Sequence, residues 1–310
     1  NSVKLPEVDG AVITHLIYHE PQFPRQDQSL TVVIPITNVG LSTILGIISI
    51  EDNDEEISTS SIPSVSSGDT TFVDVTLQSL LSGIHPLIVL LDIPKDTNPE
   101  NDVTLDTVKV SYTFESVMIN EFLVQPDSTQ IEFVEIVSNI TANLMGWSIS
   151  DNTKSLKFFP SLNIQPNDFI VISEDSTLLT LLPLEGNLVV PMPGFPALNN
   201  TGDGIFIYDM TGLIIDSLLY SEEWTVTDSR SSEKYRPEFV SNDSSFWGIA
   251  VNLEAMTPGD TNSIFFEEIL KEGTVIYEPN PSSPDNDGFD DVLQIKYKLP
   301  FEQAISKVEI

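Results

Sequence analysis

The sequence predicts an all-β protein made of consecutive β-sandwiches, and three observations predict it. Val, Ile, Leu, Thr and Ser dominate, while the helix-favouring Ala, Lys and Arg are scarce, a usage that suits pleated, half-buried surfaces. Apolar residues recur at every second position over short runs, which lays one face of a strand on a core. The 21 Pro and 15 Gly punctuate the chain often, as many short strands and turns require. At roughly 100–150 residues per domain, the length holds two or three such units.

Residues 1–114 read as the first unit. Leu30, Val32, Ile34 and Ile36 alternate with smaller or polar neighbours, and Ile44, Ile48 and Ile50 continue the pattern. Val73, Val75 and Leu77 face one way and Phe72, Asp74 and Thr76 the other. Strands are also expected over 85–93 and 104–114. Turn chemistry separates these runs at Asn38-Val39-Gly40, Ser67-Gly68-Asp69 and Asp96-Thr97-Asn98-Pro99. Short strands at this spacing predict a sandwich rather than βαβ units. Thr14 to His19 reads as one more strand. His15 and His19 would then lie about 13 Å apart, too far to share a metal. With Ile36-Thr37-Asn38-Val39-Gly40, the Ser67-Gly68-Asp69 turn and Asp92 through Asn101-Asp102, this unit resembles the CARDB-type, immunoglobulin-like domain of bacterial cell-adhesion-related proteins.

Residues 115–265 carry a denser set of motifs. They run from Ile119-Asn120-Glu121 through Phe133-Val134-Glu135 and Asn139 to Leu144-Met145-Gly146-Trp147 and Asp151. Asn200-Thr201-Gly202-Asp203, Asp209, Asp216 and Thr257-Pro258-Gly259-Asp260-Thr261-Asn262 follow. In this order they resemble a lamin tail domain, with Phe133 where that family has Trp and Met256 where it has Pro. The resemblance implies a second sandwich. The residues alone agree: Trp147 and Ile149 alternate with Ser148 and Ser150, placing the tryptophan on a core-facing set. Gly146 permits a tight turn before it, and Gly202 and Gly204 are expected to bracket another.

Residues 266–273 read as a linker. From 274 to 310, Tyr277-Glu278-Pro279-Asn280-Pro281 and Asp285-Asn286-Asp287-Gly288 lead into a strand over 293–299, with another starting at Val308. This stretch resembles the start of a FlgD-type immunoglobulin-like domain, with Ser282 where that family has Phe. It is too short for the roughly 100 residues of such a sandwich. The expectation is therefore tandem Ig-like β-sandwiches, the third incomplete, in a fragment of a longer chain.

Charge and composition exclude several functions. Thirteen basic against 47 acidic residues give a net charge of −34, which repels nucleic-acid backbones and anionic lipid. The absence of cysteine excludes disulfides and thiolate chemistry. No apolar run reaches the ~18 residues that span a membrane. No secretion signal opens the chain, so in a secreted protein it has been removed or lies outside this fragment. No nucleophile–base pattern stands out, and paired acids carry no information among so many carboxylates.

Calcium is the cofactor the sequence favours, because Ca²⁺ takes 6–8 oxygens and acidic loops supply them. Asp285, Asp287, Asp290 and Asp291 form one candidate site. Asp52, Asp54 and Glu56, in a Glu51–Glu56 run expected at a hairpin tip, form another. The competing reading of that tip is a charged edge that discourages sheet-to-sheet pairing. Asn139, Asn199 and Asn242 open glycosylation triplets that arise readily by chance and are expected to carry no glycan.

The two main resemblances imply a non-catalytic, extracellular or cell-surface structural or adhesion module. Its partners would be a protein or cell-surface component and the neighbouring domains of the same longer chain. Two alternatives stay open: an accessory region of a secreted hydrolase whose catalytic domain lies elsewhere, and a subunit of a surface filament or layer.

Overall fold

In the computed structural model the described residues are 6–176, 188–224, 229–265, 275–278 and 292–297. Their regular structure is almost wholly strand, with a few three-residue 3-10 segments, and turns and loops join the strands. Two compact units divide them. One lies within Asn1–Phe114 together with Tyr208–Leu213, the other within Glu115–Ile207 and Ile214–Ile310.

The first unit is a sandwich of two four-stranded sheets. One sheet holds β1 (Gly10–Val12), β2 (Tyr18–Glu20), β3 (Leu30–Asn38) and β6 (Thr70–Leu77). The other has the order β5 (Glu55–Val65), β4 (Ile44–Asp52), β7 (Gly83–Asp92), β8 (Val103–Val110). The alternation is realised as read: Leu30, Val32, Ile34 and Ile36, Ile44, Ile48 and Ile50, and Val73, Val75 and Leu77 all enter one core. Phe72, on the opposite face of β6, is exposed. The β4–β5 hairpin turns on Asn53 and Asp54, both with positive φ (51° and 64°), the backbone of a tight two-residue turn.

The expected strand over residues 14–19 is corrected. Thr14–Leu16 is a 3-10 turn, and β1 and β2 pair with different stretches of β3 on either side of it. Pro35 supplies the reason. Its carbonyl accepts from the Ile13 N–H at 3.0 Å, but proline has no N–H to return. The Ile13 carbonyl accepts instead from Leu16 N–H at 3.1 Å, which closes the turn.

In the second unit a six-stranded sheet has the order β16 (Leu188–Pro191), β15 (Phe169–Ser173), β10 (Phe133–Ser138), β9 (Val117–Leu123), β19 (Ser232–Lys234), β20 (Trp247–Ile249). A four-stranded sheet holds β13 (Lys157–Phe158), β12 (Ser148–Ser150), β17 (Gly202–Tyr208) and β18 (Ile214–Ser221). A small ladder joins β11 (Ala142–Asn143) to β14 (Asn163–Ile164). The Phe122 ring on β9 meets Tyr220 on β18 at 5.1 Å, one of the contacts between the two larger sheets.

Trp147 is fully buried, but so are Ser148 and Ser150, so this strand is covered on both faces. The turn expected between Gly202 and Gly204 lies earlier, where Gly202 N–H bonds the Asn199 carbonyl at 3.1 Å. Gly204 sits inside β17, where a Cβ would lie 2.5 Å from the Phe206 ring. Close approach is what demands glycine there.

Beyond residue 265 the described residues form one antiparallel ladder, β21 (Val275–Glu278) with β22 (Gln294–Tyr297), inside the strand expected over 293–299. The predicted linker and the strand expected from Val308 lie outside the described residues.

Candidate functional site

The chemically dense part of the second unit is a row of three glutamates across its six-stranded sheet. Glu135 on β10 is in register with Glu121 on β9, and Glu121 with Glu233 on β19. All three are fully buried. The register shifts between Glu135 and Ile136, leaving Asn120 as an extra residue on β9. This bulge puts Asn120 and Glu121 opposite one residue and lets the Asn120 amide donate to Glu135 Oε1 at 2.8 Å.

The segment from Thr257 to Ile264 caps the row. Thr257 N–H donates to Glu121 Oε1 at 2.8 Å, Gly259 N–H to Glu135 Oε2, and Ile264 N–H to Glu233 Oε2 at 3.1 Å. Ser263 Oγ also donates to Glu233 Oε2, at 2.8 Å. Asn262 inserts beside them, giving its amide protons to the carbonyls of Asn120 (3.1 Å) and Lys234 (2.7 Å) and accepting from Asn120 Nδ2 (2.9 Å). The Thr257-Pro258-Gly259-Asp260-Thr261-Asn262 run is thus the lid of a polar core.

Burial, reinforced by the Glu233 charge, pushes the Glu121 carboxyl up to about 8. Burial and the charge of Glu121 raise Glu135 well above the usual carboxylate range, and burial raises Glu233. Hydrogen-bond counting agrees. The Thr257 hydroxyl lies 3.2 Å from Glu121 Oε2 and 2.8 Å from Glu233 Oε1, yet it has one proton to give. Both contacts are hydrogen bonds only if one carboxyl carries a proton.

Strand alternation sends Lys234, the residue after Glu233, to the other face. Its ammonium donates to Ser241 Oγ at 2.7 Å and to the carbonyls of Phe239 (3.1 Å) and Pro237 (3.2 Å), and lies 5.5 Å from the centre of the Trp247 ring. Ser241 Oγ donates to Asp216 Oδ2 at 2.5 Å, and Asp216 also accepts from Ile119 N–H at 2.7 Å. Burial pulls Lys234 down to about 8 against the pull of Asp216, and raises Asp216 against the pull of Lys234. In both residues desolvation outweighs attraction.

The residues chosen from sequence as calcium ligands are distributed differently. Asp52 is buried, and its Oδ2 meets His85 Nδ1 at 2.7 Å, while His85 Nε2 donates to the Leu81 carbonyl at 2.8 Å. Asp54 occupies the exposed hairpin turn, and Glu56 pairs in register with Glu51 one step along the ladder. Asp285, Asp287, Asp290 and Asp291 lie outside the described residues. Among the described residues no three His, Asp or Glu side chains are grouped to hold a metal ion. His19 is taken by Asp106, at 2.6 Å.

Sequence reading quoted Glu121, Glu135, Asp216 and the Thr257–Asn262 run as motif residues without assigning them a burial. It missed Glu233 and Lys234, which have no periodic signal in a three-residue strand buried on both faces. No family model matches the chain, and no curated protein matches it.

Proposed function

We propose that this chain is a non-catalytic structural or adhesion module of an extracellular or cell-surface protein, its units resembling CARDB-type and lamin tail domains. One observation supports this reading above the others. Glu121, Glu135 and Lys234, ionisable groups displaced well away from their ordinary range, are sealed inside the second unit and bonded by its own backbone and side chains. A catalytic acid or base must reach a substrate; the two glutamates instead tie a lid segment to a sheet, and Lys234 is held by Ser241 and the Phe239 and Pro237 carbonyls. The strongly acidic composition suits a solvated surface.

The test is surface labelling. Antibody raised against the chain should decorate intact, unpermeabilised cells of the source organism, and mild external protease should remove the signal. Labelling that requires permeabilisation would refute the extracellular placement. Turnover of chromogenic ester, phosphodiester or peptide substrates by the purified chain would refute the non-catalytic one.

A further inference from the structure

One row across the β5-β4-β7-β8 sheet of the first unit holds two aspartates on either side of a leucine. Asp106 on β8 is in register with Leu87 on β7, Leu87 with Asp52 on β4, and Asp52 with Glu55 on β5. Leu87 is fully buried, so the row belongs to the core-facing side of the sheet. Each aspartate meets a histidine there. His19, on β2 of the opposite sheet, places Nε2 2.6 Å from Asp106 Oδ2. His85, two residues before Leu87, places Nδ1 2.7 Å from Asp52 Oδ2. The four side chains keep only 10–20% of their exposure. A contact between the Thr14 and Thr104 hydroxyls, at 2.7 Å, also joins the Thr14–Leu16 turn to β8.

The His85 ring shows what charge these contacts need. Its Nε2 lies 2.8 Å from the Leu81 carbonyl, which only accepts, so Nε2 carries a proton. Its Nδ1 faces a carboxylate oxygen, while the Asn53 amide donates to the other oxygen of Asp52 at 3.1 Å. A neutral imidazole has one N–H and cannot serve both acceptors. The second contact therefore needs a second proton, and the ring, a stronger base than the carboxylate, holds it. Asp106 agrees with a charged partner. Burial raises its carboxyl, but the hydrogen bond and charge of His19, with the Thr107 N–H, bring it below the ordinary value. The other ionisable groups around the row stand at its margin. Glu55 ends it and is exposed, Asp54 lies in the exposed turn, and His15 is exposed in the Thr14–Leu16 turn. Glu51, Glu56 and Lys109 alternate to the outer face.

We propose that this row is a pH-operated clasp of the first unit. With both rings charged, His19 and Asp106 tie β2 to β8, and so one sheet to the other. His85 ties Asp52, beside the β4–β5 turn, to Leu81 in the β6–β7 connection. Loss of the two protons undoes both ties and loosens β2 and the hairpin tip, while the apolar core stays packed. The sign follows from proton binding. A proton held more tightly by the folded chain stabilises it fully below about pH 6.5, the value of a free imidazole, and that stabilisation goes as pH rises. The lowered Asp106 carboxyl sets the other limit: its contribution is complete above about pH 4 and goes as pH falls below that. The clasp is closed between these limits.

The test is made residue by residue on the full chain by NMR, at about pH 5.5 and about pH 8.5, on either side of the free-imidazole value. Ring nitrogen spectra should show His85 protonated on both nitrogens at the lower pH and on one at the higher. Amide hydrogen exchange, corrected for its intrinsic pH dependence, should show protection falling several-fold between the two in β2 and around the β4–β5 turn. His19→Gln should abolish the change in β2 and keep it at the turn, and His85→Gln should do the reverse. A single protonated nitrogen on His85 at the lower pH would overturn the proposal, and that reading needs no variant to fold. So would protection that does not change with pH in the wild type, or that changes equally in the wild type and both variants.

Discussion

Glu121 and Glu233 face each other in register on adjacent strands, and both carboxyl groups reach the single hydroxyl of Thr257, at 3.2 and 2.8 Å. A proton held on one of them makes the arrangement favourable. Glu121→Gln should therefore be tolerated at pH 5, where glutamine mimics the protonated acid. Glu121→Ala leaves Thr257 N–H without its acceptor, and each such buried group costs about 1–3 kcal/mol. Urea unfolding at pH 5 should separate the two variants by at least that amount.

Asn262 should be as sensitive as a large apolar residue. Its amide serves Asn120 and Lys234 carbonyls and the Asn120 side chain at once. Asn262→Ala should cost about 2–4 kcal/mol, and Asn262→Asp should also destabilise, because the two carbonyls need donors. The chemical midpoint of the second unit checks both.

Lys234 and Asp216 should show strong coupling. Lys234→Met alone leaves Asp216 buried without its cation, a change that costs about 3–5 kcal/mol. Adding Asp216→Asn should recover part of that loss. A double-mutant cycle with additive terms would show that the pair is not linked through Ser241.

The first unit offers a gain. Asp54 holds a φ of 64° that glycine adopts without penalty, so Asp54→Gly should stabilise the β4–β5 hairpin by about 0.5–1 kcal/mol. Thermal unfolding in EGTA measures it free of any divalent cation.

The fold was legible where one face of a strand is buried. Val73 to Leu77 alternates because β6 has one core side, and the Asn53-Asp54 turn follows from residues that tolerate positive φ. It was less legible in β9, where all seven residues from Val117 to Leu123 are buried and alternation vanishes. The break after Ile13 was hidden because its cause, Pro35, lies on another strand. The glutamate row was hidden for the same reason. Glutamates in a highly acidic chain read as surface, and the partners that bury Glu121 stand 136 residues away at Thr257. Of the calcium ligands chosen from sequence, Asp52 was legible as a hairpin carboxylate but not as the partner of His85 on β7.

The pH dependence of stability tests the protonated glutamate row most directly. Glu121, Glu135 and Glu233 have folded-state values above those of an unfolded glutamate, so the folded chain binds more protons. Their contribution is complete below about pH 4.5 and is lost as pH rises through about 8, the folded value of Glu121. Lys234, lowered to about 8, acts with the opposite sign only above that point. Urea unfolding of the second unit should therefore give a clearly lower free energy at pH 8 than at pH 5, and Glu121→Gln should reduce the difference. Equal stability at the two pH values, or an unchanged difference in Glu121→Gln, would contradict a proton stored in the row.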